Sequence, residues 1–211
     1  PAGWRTPRRA RALLQSASAR RLASPCSRSA NIIQEPYEIE VRRNRKYQEV
    51  FFSRSGSLWK NGKRSPIKIE KSFSIPTREK VVKASYQITY KGEKRKTNFG
   101  IELNINLLAG DAPDRYYEVP GHRLEDRKLA SMGALNDITE VHLVDKWNRI
   151  KVVLKTDRSC NLWRFPIETV SLSESGFERI FQGSCLLFYW PLDLEPMRQF
   201  EFNIELGIYP L

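Results

Sequence analysis

Two stretches carry side chains suited to the chemistry of polyols. In residues 98–117 the odd positions Phe99, Ile101, Leu103 and Ile105 are apolar. Strand alternation then turns Glu102, Asn104 and Asn106 out of the opposite face. A carboxylate and two amides in a row, leading into Asp111, Asp114, Arg115, Tyr116 and Tyr117, suit hydrogen bonding to sugar hydroxyls. The solvated outer face of a surface strand has the same signature, and alternation alone favours that plainer reading. In residues 162–184, Glu168, Glu174 and Glu178 stand among Thr169, Ser171, Ser173 and Ser175, in a stretch without clear period between two aromatic runs. Paired carboxylates can act as acid and base on a glycosidic bond. A long connection whose polar groups cap backbone or meet a neighbouring domain would look the same. Trp163 and Trp190 can stack on sugar rings, although large aromatics beside a β-core more often fill it.

The elements that must position these groups are strands. Val82, Ala84, Tyr86, Ile88 and Tyr90 alternate with Lys83, Ser85, Gln87 and Thr89. Phe200, Phe202, Ile204 and Leu206 alternate with polar partners near the C-terminus. Such period-2 runs predict strands with one buried face. Asn61-Gly62 lies between two apolar runs and predicts a two-residue hairpin, because both central positions favour φ > 0. The best helical candidate, residues 124–135, is short and irregular. No Gly-rich phosphate loop and no strand–helix alternation is present, so the expectation is an all-β, antiparallel sandwich of ten or more strands. A (β/α) barrel needs upwards of about 200 residues of alternating elements, and none of that pattern occurs.

Charge and composition narrow the function. The 211 residues carry 36 basic and 24 acidic side chains, a net charge of +12. Seven of the bases are arginines within residues 1–30, which contain no acid; without them 29 bases face 24 acids. The basic excess therefore belongs mostly to a segment rich in Arg, Ser, Ala and Pro, expected to be disordered and either transit-like or a spurious 5′ translation. Residues 31–211 are read as one β domain. Nucleic acid is not expected as a partner, since the case for it rests only on that detachable head. No apolar run approaches the roughly 18 residues of a membrane span, so no membrane partner is expected. Cys26, Cys160 and Cys185 show no metal-ligand spacing to one another or to His122 and His142. No metal and no cofactor is expected, and the thiols point to a reducing, cytoplasmic setting, with organellar targeting if residues 1–30 are genuine.

Longer runs carry a family resemblance. Phe99-Gly100-Ile101-Glu102-Leu103-Asn104, the run from Leu107 to Tyr117 (Leu-Leu-Ala-Gly-Asp-Ala-Pro-Asp-Arg-Tyr-Tyr), Leu129-Ala130-Ser131-Met132-Gly133 and Trp163-Arg164-Phe165-Pro166-Ile167-Glu168-Thr169-Val170-Ser171 stand in one order. Ser173-Glu174, Gly176-Phe177-Glu178 and Tyr189-Trp190 up to Leu194-Glu195-Pro196 extend the series. Residues 37–206 thus resemble the C-terminal β-sandwich domain of glycoside hydrolase family 57 α-amylases and 4-α-glucanotransferases; residues 1–30 do not. The resemblance implies a galactose-mutarotase-like super-sandwich placed after an incomplete (β/α) barrel that holds the catalytic glutamate and aspartate. No catalytic residue is therefore assigned here. The implied role is accessory: packing on that barrel, which is missing from this sequence, and contributing to the binding of α-1,4-glucan or maltooligosaccharide. The candidate substrate or domain contacts are Glu102, Asn104, Asp114, Arg115, Tyr116, Glu168, Thr169, Ser173, Glu174 and Glu178. Of these, Glu102, Asn104, Asp114, Arg115, Glu168 and Glu174 are expected to gather on one side of the sandwich. Alternatives are a free-standing carbohydrate-binding module, or an aldose-epimerase-like protein in which His122 or His142 converges with Glu102 or Glu168.

Overall fold

The alternating runs pair as their periods require. In the computed structural model, which describes residues 36–60, 62–173 and 176–211, ten antiparallel strands form. They are β1 (Glu38–Arg43), β2 (Tyr47–Lys60), β3 (Lys63–Pro76), β4 (Val81–Tyr90), β5 (Arg95–Ile105), β6 (Arg115–Glu118), β7 (Gly133–Asp145), β8 (Ile150–Ser173), β9 (Gly176–Leu194) and β10 (Gln199–Pro210). No helix occurs among the described residues. The helical candidate at 124–135 is instead a run of turns leading into β7. The expected disordered head, residues 1–30, lies outside the described residues.

One layer has the order β1-β2-β3-β4-β10-β8-β7-β6, and a second branches from it as β5-β9-β8. Strand β8 belongs to both. Its first part, from Ile150 to Thr156, pairs with β10 on one side and β7 on the other. From Asn161 onward β9 takes the place of β10. Strands commonly change sheet at such a corner through bulges, and β7 slips register beside it, between Leu135 and Glu140. At the point of departure the Asp157 carboxylate accepts the Asn203 backbone N–H and side-chain amide, each at 3.1 Å, supplying the acceptor that β8 withdraws.

The predicted faces are in place. Ala84, Ile88 and Tyr90 are buried with Val82 and Tyr86 half-buried, while Lys83 is exposed. On β5, Ile101 is buried and Phe99, Leu103 and Ile105 pack against the core. Between the layers, Phe99 and Trp190 lie 4.9 and 4.8 Å from the Phe202 ring. The predicted hairpin joins β2 to β3: Lys60 pairs with Lys63, and Gly62 has φ of 76°. The stretch read as a non-periodic connection is strand on both sides, the far end of β8 and the start of β9, forming a hairpin arm. The register slips between Ile167 and Glu168 with Gln182 as the extra residue, so the inward row of β9 passes from even positions (Ser184, Leu186) to odd ones (Phe177, Phe181) while β8 keeps its parity. A window of β9 spanning that slip averages out the period, whereas Val170 and Leu172 of β8 alternate with Thr169 and Ser171 beyond it.

Cys160 and Cys185 are buried and unbridged, as ordinary core thiols. Burial pushes the Cys160 thiol up to about 11, against a hydrogen bond with Thr156. Since the thiolate is the reactive species, iodoacetamide at neutral pH should leave both cysteines unmodified in the folded protein and label both in urea. Peptide mass spectrometry reads the outcome; rapid native labelling of either would contradict the closed core.

Candidate functional site

The candidate residues occupy three places. Glu102 and Asn104 stand on the outward face of β5, where Asn104 Nδ2 donates to Glu102 Oε1 at 3.0 Å. The other carboxylate oxygen, Oε2, is buried without a hydrogen-bond partner. Asp114, Arg115 and Tyr116 lie at the start of β6. Arg115, only 11% exposed, sits 3.3 Å from the fully buried Asp145 carboxylate and 3.4 Å from Asp114. Burial works against charge on Asp145, yet the Asn148 backbone and side-chain donors and the Arg115 charge hold its carboxyl below the ordinary aspartate value. The Tyr116 ring carries the Arg127 guanidinium at 4.2 Å. The third group is on the arm: Glu168 pairs with Arg179 at 3.5 Å, Thr169 accepts from Gln182 at 3.2 Å, and Glu178 is exposed opposite Ser171. Ser173 ends β8, and Glu174 lies outside the described residues.

The two parent segments do meet. β5 is hydrogen-bonded to β9, and a Cβ on Gly110 would strike the Phe181 ring at 2.7 Å, so glycine is required at that approach. Among the described residues no hydrogen bond or ion pair joins a candidate of one group to a candidate of another. Asp114, Arg115, Glu168 and one oxygen of Glu102 instead have partners within their own neighbourhoods, while Glu102 Oε2 has none. Nor does the epimerase pair assemble: His142 Nε2 is 2.5 Å from Glu140, and His122 bonds the backbone oxygens of Pro120 and Asn136. Neither histidine is hydrogen-bonded or ion-paired with Glu102 or Glu168.

Sequence reasoning missed the surroundings of Glu102. Among the described residues β5 is an edge strand paired only with β9, and side chains of β2 and β3 stand over that edge. Between them lies a cleft of about 380 Å³, lined by Tyr37, Arg54, Lys71, Tyr86, Asn98, Gly100, Glu102, Trp163 and Tyr189 among others. Arg54 lies 3.9 Å over the Tyr37 ring and donates to its hydroxyl at 3.0 Å; the Lys71 ammonium is 4.2 Å from the same ring. Burial, and then the nearby Arg54 charge, lowers the Lys71 pKa. Trp163 is 39% exposed on the cleft wall, its ring 5.2 Å from that of Tyr189. Trp190, the other candidate stacking residue, is buried in the core. A signal was available: Lys71 and Arg54 interrupt the apolar rows Ile67, Ile69, Phe73 and Val50, Phe52 on inward positions.

Comparison with known proteins agrees with the fold and places the chain. The chain is 31% identical over 166 residues to alpha-amylase 1 of Dictyoglomus thermophilum, covering 76% of this chain and 22% of that protein. The crystal structure of 4-alpha-glucanotransferase from Thermococcus litoralis superposes with a TM-score of 0.61 at 22% identity, over 84% of this chain and 23% of that one. An Escherichia coli K12 protein described as a candidate aldose 1-epimerase shares the fold at 7% identity, with a TM-score of 0.52 over 84% of this chain and 69% of that one. The chain thus spans less than a quarter of the length of the glucan-processing relatives it matches. The family model for the alpha-amylase/4-alpha-glucanotransferase C-terminal region matches residues 17–204, beginning inside the Arg-rich segment rather than at the boundary drawn from composition. With most of its length matched by that model and the same sandwich in a solved member, the chain belongs to the family of alpha-amylase/4-alpha-glucanotransferase C-terminal domains.

Proposed function

We propose that this chain is a non-catalytic domain of a larger α-glucan-processing enzyme, and that its β8–β9 arm docks on the catalytic portion. The observation that carries the reading is the arm's apolar face. Cross-strand partners share a face, so Glu168, Val170 and Leu172 of β8 lie with Phe181, Arg179 and Phe177 of β9. At the base of this row Phe181 packs against the core. Further out, Val170, Leu172 and Phe177 are 62%, 77% and 83% exposed. A core-facing row that runs on past its own core is a surface built to be covered. Coverage of only 22% of the Dictyoglomus relative supports a cover made by the rest of such an enzyme. Its ligand on this reading is an α-1,4-glucan or maltooligosaccharide held by the assembled enzyme.

The purified chain alone is expected to neither hydrolyse nor disproportionate maltotriose. The test is affinity capture from source cells with an antibody against this chain. The expected product is a polypeptide several times longer than 211 residues, or a separate catalytic polypeptide bound to this one and released by the Leu172→Ser, Phe177→Ser double variant. Recovery of the chain by itself, with transferase activity of its own, would overturn the reading.

A further inference from the structure

Three independent features of the cleft beside β5 point to one class of ligand. The first is an unmet acceptor: Glu102 Oε2 is shielded from water and has no donor, a state that costs free energy until a donor arrives. The second is a wall of ring faces. Trp163 and Glu102 are both cross-strand partners of Leu187 and therefore stand on one face, with Tyr189 beside them. The third is the unpaired edge of β5: among the described residues this strand pairs only with β9, and its residues 98–102 line the cleft with backbone groups that no strand takes up. Opposite, Lys71 supplies a donor head anchored over Tyr37 and Phe52.

We infer that this cleft is a binding site for one pyranose unit, its C–H face laid on Trp163 and Tyr189 and its hydroxyls shared between Glu102 as acceptor and Lys71 and Asn98 as donors. Aromatic faces with a few convergent polar groups are the usual make-up of small-ligand pockets, and a ring rich in hydroxyls is both donor and acceptor, as this lining demands. A strongly anionic ligand is disfavoured by the Glu102 carboxylate, whose unmet oxygen asks for a donor. An α-glucan as the source of the ring rests on the reading under Proposed function; pyranose recognition by the cleft does not.

The test is calorimetric titration of the full chain with maltotriose, alongside quenching of Trp163 fluorescence. Wild type is expected to bind weakly, and Glu102→Gln, which offers a donor where the sugar needs an acceptor, should bind about tenfold or more weaker. The same variant should melt no lower than wild type, because it relieves a shielded charge. Trp163→Ala should lose binding, while Leu172→Ser, Phe177→Ser should bind as wild type does, separating the cleft from the docking arm. Absence of maltotriose binding to wild type, or full affinity in Glu102→Gln, would overturn the cleft assignment and leave the docking reading to its own test. Displacement of maltotriose by inorganic phosphate would assign the cleft to anions through Arg54 and Lys71, and would equally overturn it.

Discussion

Asp145→Ala should destabilise the domain by about 3–5 kcal/mol, the range found when one partner of a buried ion pair is removed. Asp145 is fully buried and accepts from the Asn148 backbone at 2.9 Å and its side chain at 2.7 Å, while Arg115 stands 3.3 Å away. The variant strands the Arg115 guanidinium, which keeps only the exposed-side Asp114, and opens the turn that joins β7 to β8. Asp145→Asn should cost less, because it keeps an acceptor oxygen while losing the charge. The pH dependence has a definite sign. The folded carboxyl titrates below its unfolded value of about 3.9, so its contribution is complete above that pH and is lost as the pH falls through the folded value. Wild type should therefore lose stability below about pH 4 more steeply than Asp145→Asn. Urea unfolding at pH 7 and pH 3 measures both; a loss under about 1 kcal/mol in Asp145→Ala would refute the buried-pair account.

The second large effect is expected at Arg164. Its guanidinium is buried beneath residues 126–131, donating to Ser131 Oγ and to the Asp126 carbonyl at 2.8 Å, with the Tyr117 ring 4.9 Å away. Burial lowers the Arg164 pKa, against the pull of Tyr117 and Asp126. One bond to a backbone carbonyl and one to a serine hydroxyl, both from one planar fork, hold a segment that has no regular structure. Arg164→Ala should cost about 3 kcal/mol by loss of charged hydrogen bonds, and should speed tryptic cleavage after Arg127 and Lys128. Arg164→Lys should recover little, since an ammonium cannot serve both acceptors while lying on Tyr117. Unchanged proteolysis in Arg164→Ala would show that the 126–131 segment is held by other bonds.

Much of the fold was legible because one-sided burial writes itself as period 2. The faces of β4, β5 and β10 follow from that rule, and the β2–β3 hairpin follows from Asn61-Gly62. The arm was missed for a physical reason: the extra residue Gln182 shifts the phase of β9, so its core-facing row changes parity from Leu186 and Phe188 to Phe177 and Phe181. The candidate site was legible in its members and not in their grouping. Arg115 is local to Asp114 in sequence, but its main partner Asp145 is thirty residues away. Glu102 was found by alternation, whereas Lys71 and Arg54 come to line the same cleft only through the overhang of one layer past the edge of the other. No local pattern encodes that overhang, though two cations on apolar rows mark where to look.

The double membership of β8 bears on how the domain can be divided. Twenty-four residues, about 80 Å of contour at the rise of an extended chain, run from the ladder with β10 through the corner to the tip of the arm. Melting either layer alone would strip a neighbour from the strand that the other layer also needs, so the two should open and close together as one cooperative block. No cut within β8 would leave two halves able to fold. A force applied at Phe177 by whatever the arm grips is passed along a single covalent thread to the centre of the opposite layer.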